Sequence, residues 1–306
     1  MLHLNFYVEL TLGILPILGG AFLLGLHMVG EPAVGRIICI ANRKGGVGKT
    51  TTAINLSAAL GVAGEGSLLV DCDPQGNATS GVGVKLEADT LTVYDVLLGA
   101  CQVEEAVQKT AIAHLDVLPA NHDLIGAEVE LLNLEHREYR LRTLLHHERE
   151  QYHYVLLDCP PSLGLLTVNA LTAADSVLIP LQCEYYALEG LRSLLETITL
   201  IRERLNPELA IEGLLLTMFD PRNKLCHQVA EEVRRFFPHQ VFDTVIPRNV
   251  RLSESPSHGL PVVLYDPSCR GAQSYTELAR EITNSEPATW VTQPRRENAE
   301  EEGGVE

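Results

Sequence analysis

The chain has 306 residues, of which 46% are hydrophobic, and it carries a formal net charge of −17. This hydrophobic content supports a substantial core and excludes wholesale disorder. The negative charge excludes a protein coated in basic surface, so any contact with nucleic acid must come from a local basic patch. The seven cysteines form no C-x-x-C pair, which argues against a disulfide framework or a zinc site and indicates a reducing cytoplasm.

The first 35 residues form a hydrophobic prefix that differs from the rest of the chain. Residues 10–30 are apolar over a length sufficient for a membrane span. No lysine or arginine occurs before Arg36, however, so the basic flank of a signal peptide or membrane anchor is missing. We therefore expect the functional chain to start near Met28, with the upstream residues arising from a mis-assigned start codon, and we do not expect membrane association. If the prefix is translated, it is a hydrophobic appendage.

From Arg36 onward, short apolar runs alternate with longer helical patterns. Continuous apolar runs are expected of strands that are covered on both faces of a sheet. The predicted strands are Arg36–Asn42, Ser67–Asp71, Leu115–Ala120, Tyr154–Asp158, Ser176–Leu181 and Ile211–Met218, with a shorter run at Phe242–Ile246. The predicted helices are Thr50–Ala63, Leu188–Leu205, Cys226–Phe237 and Ser274–Thr283, together with a solvated amphipathic helix over His136–Glu150.

This alternation predicts an α/β fold, with a doubly wound, mostly parallel sheet flanked by helices on both faces. We expect one domain over residues 36–285. The polar segment 286–306 that follows is predicted to be a disordered acidic tail.

The first strand leads into a glycine-rich turn and a helix, which is the setting of a phosphate-binding loop. Glycines in this turn allow backbone amides to close around a phosphate. Lys49 can reach the β- and γ-phosphates of a nucleotide, and the Thr50 hydroxyl can ligate Mg²⁺. The candidate nucleotide-binding residues of the loop are Lys44, Gly45, Gly46, Val47, Gly48, Lys49, Thr50 and Thr51.

A second lysine, Lys44, stands on the other side of the same turn, and Arg43 occupies the place of the first glycine of the G-x-x-x-x-G-K-[ST] pattern. The Lys44 side chain cannot easily fold back onto its own phosphate, but it can reach one held by another subunit. This arrangement resembles the deviant Walker A ATPases, which include the ParA/Soj partition proteins and MinD. The resemblance implies a P-loop NTPase that binds ATP and Mg²⁺. It also implies an ATP-dependent homodimer in which Lys44 contacts the partner's nucleotide.

Carboxylates follow two of the predicted strands, in LLVDCDPQGNATSG (Leu68–Gly81) and YVLLDCPPSLG (Tyr154–Gly164). They are expected at the carboxyl edge of the sheet, where α/β proteins bind ligands. The resemblance implies that Asp73 helps to position the attacking water, that Asp71 lies near the Mg²⁺ shell and that Asp158 holds Mg²⁺ through water. The expected catalytic residues are thus Lys44, Lys49 and Asp73, and the expected metal-binding residues are Thr50, Asp71 and Asp158.

The fold alone does not choose among branches of this family. No cysteine pattern suits a bridging iron–sulfur cluster, and the acidic tail lacks the basic amphipathic helix of MinD-like proteins. The segments Asp73–Gly81, Thr217–Val229 and Thr244–Pro267 resemble the ParA/Soj branch. The resemblance implies a cytoplasmic, nucleoid-associated ATPase that segregates chromosomes or plasmids and whose slow hydrolysis is stimulated by a ParB-like activator. A MinD-like membrane-positioning ATPase and a positioner of a non-DNA cargo remain the alternatives.

The same resemblance implies a face that binds double-stranded DNA without sequence preference. Arg222 and Arg251 match arginines of that face, and basic side chains suit contacts with phosphate that read no base. Lys224, Arg248 and Arg270 are weaker candidates. The Pro247–Asn249 segment is expected near the adenine, with Pro247 and Asn249 as nucleotide-binding residues.

Overall fold

The computed structural model describes residues 35–184, 187–285 and residue 287. The expectations for Met28 and the prefix up to residue 34 lie outside these residues. So do those for the acidic tail, except at residue 287. No helix within the described ranges is long and apolar enough to cross a membrane.

A seven-stranded sheet forms the centre of the described domain, with the strand order β3-β4-β2-β5-β1-β6-β7. The strands are β1 Arg36–Ile40, β2 Ser67–Asp71, β3 Gln108–Lys109, β4 Leu115–Leu118, β5 Tyr154–Asp158, β6 Ser176–Gln182 and β7 Ala210–Thr217. All neighbouring pairs are parallel except β3 and β4, which are antiparallel. The predicted α/β class and mostly parallel sheet are therefore confirmed.

Thirteen α-helices and three 3₁₀ helices accompany the sheet in the described residues. The α-helices are α1 Lys49–Val62, α2 Asn77–Gly81, α3 Val93–Leu98, α4 Val103–Ala106, α5 Leu124–Glu130, α6 Arg140–Leu144, α7 Glu148–Gln151, α8 Leu165–Ala173, α9 Ala187–Arg204, α10 Lys224–Phe236, α11 Val250–Glu254, α12 Val262–Tyr265 and α13 Arg270–Thr283. The 3₁₀ helices are Leu131–Asn133, Arg137–Tyr139 and Ser255–His258.

The sheet is buried on both faces, as its continuous apolar strands require. On β1, Ile37 and Cys39 pack into one core with α3, α5, α6 and α8–α10. Ile38 and Ile40 pack into a second core with α1 and α11–α13 on the opposite face. Successive side chains of a strand point to opposite faces, so an unbroken apolar run supplies both cores.

Two predicted elements differ in the structure. The run Phe242–Ile246 is not a strand, because the amides of Asp243 and Thr244 donate to the Glu281 carboxylate (2.7 and 3.0 Å) rather than to a ladder. The two ends of the run still contact β7, since the amides of Phe242 and Ile246 donate to the carbonyls of Leu214 (3.1 Å) and Leu216 (2.9 Å). Isolated bridges flank the run, from Leu214 to Val241 and from Phe219 to Pro247. The predicted helix over residues 136–150 is divided into one 3₁₀ and two short α-helices, and the short edge strand β3 was not predicted.

The two ends of the described domain meet at the amino edge of the sheet. The Arg36 guanidinium, on the first residue of β1, donates to the carbonyl of Ile282 in the last turn of α13 (2.7 Å) and to that of Ser285 just beyond the helix (3.1 Å). It also forms an ion pair of 3.5 Å with Glu212 at the start of β7. The ends of the domain thus lie at the amino edge of the sheet, and the loops of the candidate site lie at the opposite, carboxyl edge.

Candidate nucleotide-binding site at the carboxyl edge

The loop between β1 and α1 has the backbone of an anion cradle. Gly46 and Gly48 adopt left-handed φ angles of 74° and 92°, which L side chains rarely adopt. Gly48 is the N-cap residue of α1, and no side chain caps the helix there. The first turn of α1 also contains no acidic residue. Its free amides and the positive end of the helix dipole therefore suit a phosphate group.

The two lysines of the loop point to different places. The Lys49 side chain is buried, with the residue 6% exposed, and its Nζ donates to the carbonyl of Lys44 across the loop at 3.3 Å. The Lys44 side chain is 39% exposed, and its Nζ lies 2.7 Å from Oε2 of Glu184 beyond the end of β6. Lys49 thus faces the interior of its own loop, whereas Lys44 lies on the outside.

Burial lowers the pKa of the Lys49 ammonium, and the nearby carboxylates of Asp158 and Asp73 partly oppose this effect. A cation that is buried at the mouth of a phosphate loop is stabilised when an anion enters. Lys49 is therefore placed to gain interaction free energy from a bound phosphate.

Two carboxylates lie side by side at this edge, since Asp71 and Asp158 are register partners at the ends of β2 and β5. Both carboxylate oxygens of Asp71 accept hydrogen bonds. Oδ2 accepts from the Thr79 amide (2.8 Å) and hydroxyl (2.7 Å), and Oδ1 accepts from the Asp73 amide (3.2 Å). Burial raises the pKa of Asp71 to about 6 despite these hydrogen bonds. Asp71 therefore fixes the loop that follows β2.

Asp158 differs, because both of its carboxylate oxygens are buried and have no hydrogen-bond partner among the described residues. Burial, followed by the neighbouring Asp71 charge, raises the pKa of Asp158 well above its ordinary value, while the Lys49 ammonium opposes the shift. A buried, unpartnered carboxylate is expected to be paired or to coordinate a metal. Mg²⁺ is commonly held by one or two carboxylates together with substrate phosphates, so Asp158 and Thr50 fit this ion.

Asp73 begins the turn after β2 and is nearly buried, at 9% exposure. Its Oδ1 accepts from the amide of Gln75 at 3.0 Å, which fixes the carboxylate over its own turn. The negative charge of Asp73 raises the pKa of Lys49, Asp71 and Asp158. Asp73 therefore lies at the same edge of the sheet as the phosphate loop.

The predicted adenine segment adjoins the loop through the end of β7. Thr217 Oγ1 donates to the carbonyl of Val47 in the phosphate loop at 2.8 Å. Two residues further, Phe219 forms its bridge with Pro247. Between them Met218 has a left-handed φ of 50°, an uncommon backbone for a bulky residue. Asn249 caps α11, where its side chain accepts from the amide of Arg251 at 2.8 Å.

The two predicted DNA-binding arginines lie on neighbouring exposed segments rather than in the phosphate site. Arg222 follows β7 and Arg251 lies in α11, and the Phe219–Pro247 bridge joins the two segments. The Arg222 and Arg251 side chains are 87% and 50% exposed. Each makes an ion pair within its own chain.

Four residues that support the site were not singled out from the sequence: Asn42, Thr79, Glu184 and Thr217. Asn42 orients the loop, since its Oδ1 accepts from the Lys44 amide (3.0 Å) and its Nδ2 donates to the carbonyl of Pro180 in β6 (2.7 Å). Thr79 lies in the GNATSG segment that contributed to the family resemblance. The contacts of Asn42 with Pro180, Glu184 with Lys44 and Thr217 with Val47 join residues far apart in the chain, so no local pattern indicates them.

The family described as AAA domain matches residues 35–211, more than half of the chain. The chain is 57% identical to the chromosome partitioning protein ParA of Myxococcus xanthus, over 86% of this chain and 93% of that protein. It is 55% identical to the sporulation initiation inhibitor protein Soj of Bacillus subtilis, over 81% and 98%. A solved structure of cobyrinic acid a,c-diamide synthase from Mycobacterium smegmatis, with a bound ATP analogue and magnesium, is 36% identical with a TM-score of 0.72. That comparison covers 84% of this chain and all of the other.

The identity to ParA and Soj extends over more than four fifths of this chain and over more than nine tenths of each of those two proteins. The resemblance found in the sequence is thereby confirmed, and so is the assignment to the partition branch. The chain belongs to the ParA/Soj family of chromosome-partitioning ATPases.

Proposed function

We propose that this ATPase is a dimerisation switch: ATP joins two subunits, the dimer binds DNA without sequence preference, and hydrolysis releases it. The proposal rests on one observation: the side chains of the two loop lysines point in different directions. Lys49 faces inward to its own loop, and Lys44 faces outward to Glu184, from which it can be transferred to a partner's nucleotide.

In this proposal the nucleotide phosphates lie against the amides of residues 45–51, with Lys49 neutralising their charge. Asp158 and Thr50 would hold Mg²⁺, which supplies further neutralisation of the phosphate oxygens. Pro247 and Asn249 would border the adenine. Support comes from the unpartnered buried Asp158 and from the solved relative that contains an ATP analogue and magnesium.

Asp73 would orient the water that attacks the terminal phosphate. Its support is its position at the phosphate edge and the double restraint of its turn, by Asp71 on one side and by Gln75 on the other. Phosphoryl transfer requires positioning and charge stabilisation more than covalent chemistry, so restraint of this kind suits a slow switch.

DNA would be bound by Arg222 and Arg251, with one copy of the face on each subunit. Because the chain carries a charge of −17, a single small face must act against a repulsive field. A dimer doubles the number of phosphate contacts without any change in sequence. The proposal places the protein in the cytoplasm on the nucleoid, where a ParB-like activator would stimulate hydrolysis.

The test is a salt series of binding to unrelated duplexes with ATP and with ADP. We expect ATP-dependent binding of similar strength for all duplexes, weakened alike by Arg222→Glu or Arg251→Glu, with ATP-dependent dimerisation retained. Removal of one arginine–phosphate interaction should reduce the log–log salt slope by roughly one unit. Absence of ATP-dependent DNA binding by the intact protein would contradict the DNA-bound switch and favour a membrane-positioning role.

A further inference from the structure

Both arginines of the proposed DNA face are already paired with carboxylates of their own chain. The Arg222 guanidinium donates through Nε to Asp220 Oδ1 (3.0 Å) and through Nη2 to Oδ2 (2.9 Å), which is a two-bond fork. Two parallel hydrogen bonds between a guanidinium and a carboxylate form the strong geometry for this pair. Asp220 therefore presents to Arg222 the same two-oxygen edge that a DNA phosphate would present.

Arg251 has two acidic neighbours. Its Nη1 donates to Glu254 Oε2 at 2.8 Å within α11, and its Nε lies 3.2 Å from Asp266 Oδ2. The two arginines lie on different elements and are paired independently. Both arginines of the proposed face are thus neutralised by carboxylates of their own chain.

The Asp220 carboxylate is ionised throughout the physiological range. Its hydrogen bonds from the Arg222 side chain and amide hold the pKa of Asp220 at about 2, with the Arg248 charge adding to the effect. A phosphate that approaches Arg222 therefore meets a neutral pair rather than a free cation, and it must displace the carboxylate or share the guanidinium with it.

From this geometry we infer that Asp220 and Glu254 are intramolecular competitors of DNA, and that they set the affinity of the face below the value that its arginines alone would give. The inference rests on the proposed DNA-binding function. It assigns to the two carboxylates the role of keeping the contact weak enough for release. The ligand with which the two carboxylates compete is the phosphodiester backbone of DNA.

The pairing with Asp220 could instead orient Arg222 toward DNA. The two roles predict opposite changes in DNA affinity when the carboxylate is removed. If the carboxylate only orients, its removal weakens binding. If it competes, its removal strengthens binding and adds one released counterion per arginine. Competition is favoured because the fork occupies Nε and Nη2 together, which is the edge of the guanidinium best suited to two phosphate oxygens.

The decisive variant is Asp220→Asn. The Asp220 Oδ1 atom also accepts from the Arg222 amide (3.0 Å), and an asparagine carbonyl can retain this turn while the charge is removed. With ATP, we expect DNA affinity to rise roughly two- to five-fold per subunit, as for removal of an exposed ion pair. The log–log salt slope should steepen by about 0.9 per arginine freed.

Glu254→Gln should act in the same direction but more weakly, because Arg251 keeps its contact with Asp266. The matched control is Glu196→Gln, which removes the same charge and releases Arg192 from an exposed pair (3.1 Å) on α9, a helix that contains neither arginine of the face. The Arg222→Gln/Asp220→Asn double variant should bind no better than Arg222→Gln alone. A thermal unfolding midpoint for each variant verifies the fold.

Unchanged or weaker DNA binding by both Asp220→Asn and Glu254→Gln, in a wild-type background that binds DNA with ATP, overturns the competition and leaves the proposed function intact. An equal gain in Glu196→Gln overturns it as well, because the effect would then be one of net charge. Failure of the wild type to bind DNA with ATP refutes the proposed function, and the inference with it.

Discussion

Lys44 Nζ and Glu184 Oε2 are 2.7 Å apart although 140 residues separate them in the chain. Both side chains are more than a third exposed, and exposed ion pairs typically contribute only about 0.2–1 kcal/mol. Lys44 is therefore held in a defined place by a contact that is easily exchanged. An anionic phosphate of a second subunit is a suitable competitor for it.

The two loop lysines should be separable by mutation. Lys49→Ala is expected to abolish nucleotide binding, because it removes the buried cation of the phosphate site. Lys44→Ala should keep measurable nucleotide binding but lose ATP-dependent dimerisation. Nucleotide titration and light scattering with ATP and ADP measure the two effects, and equal loss of nucleotide binding in both variants would exclude a role for Lys44 across subunits.

Release of Lys44 from its own chain should favour the dimer. Glu184→Gln is expected to lower the ATP concentration at which dimers form by roughly two- to five-fold, since the exposed pair no longer competes. Light scattering over an ATP series provides the measurement. Glu189→Gln, an exposed charge change at the start of α9, is the control. Dimerisation that is unchanged or weaker than in the control would show that Glu184 does not restrain Lys44.

Removal of Asp73 should separate nucleotide binding from turnover. Asp73→Ala leaves the phosphate loop and Lys49 in place but removes the carboxylate that we assign to the water, so an ATP-bound dimer should accumulate and stay longer on DNA. Phosphate release should fall by at least about tenfold, as for removal of a positioned group in general acid–base catalysis. A normal rate of phosphate release would show that Asp73 has another role.

The buried carboxyl group of Glu148, which lies outside the candidate site, should make the stability of the fold depend on pH. It is 1% exposed, and its Oε1 has no hydrogen-bond partner in the described part of the chain. Burial, with the Glu104 charge adding, raises its pKa from 4.5 to about 7. The folded state therefore holds a proton that the unfolded state releases, so this stabilisation is complete below about pH 4.5 and is lost as pH rises through 7.

Glu148→Gln should accordingly match the wild type in acid and exceed it in thermal midpoint at pH 8. The difference between the two midpoints is the measurement, because other groups with a raised pKa, such as Asp71, contribute equally to both proteins. A difference that stays constant from pH 5 to pH 8 would contradict the buried, protonated state.

Local patterns predicted much of this fold. The strands Ser67–Asp71 and Tyr154–Asp158 match the structure residue for residue, because a run buried on both faces needs no tertiary information to be recognised. The phosphate loop was also predictable, since its glycines, lysine and threonine are adjacent in sequence. Phe242–Ile246 has the composition of a strand, but the Glu281 carboxylate binds its amides, and local propensity does not reveal such a partner.

The sequence did not reveal which polar groups are already engaged. Asp71 and Asp158 both end apolar strands, yet Thr79 saturates the first and the second has no partner among the described residues. Likewise, Arg222 was expected to be a basic contact, whereas its guanidinium pairs with Asp220, two residues earlier in the same turn. This pairing is local, but the sequence pattern alone did not show that the guanidinium points back to Asp220.

The contacts of Arg36 with Ile282 and Ser285 make the two ends of the domain neighbours, on the side of the sheet opposite to the nucleotide. Closely spaced ends favour circular permutation. A short linker from Ser285 to Arg36 should preserve the sheet order while new ends open elsewhere, for instance in the exposed turn at Glu87. Leu86, next to this turn, lines a cleft together with Gln75 of the turn after β2, so a fluorophore attached at the new end would lie near the carboxyl edge of the sheet.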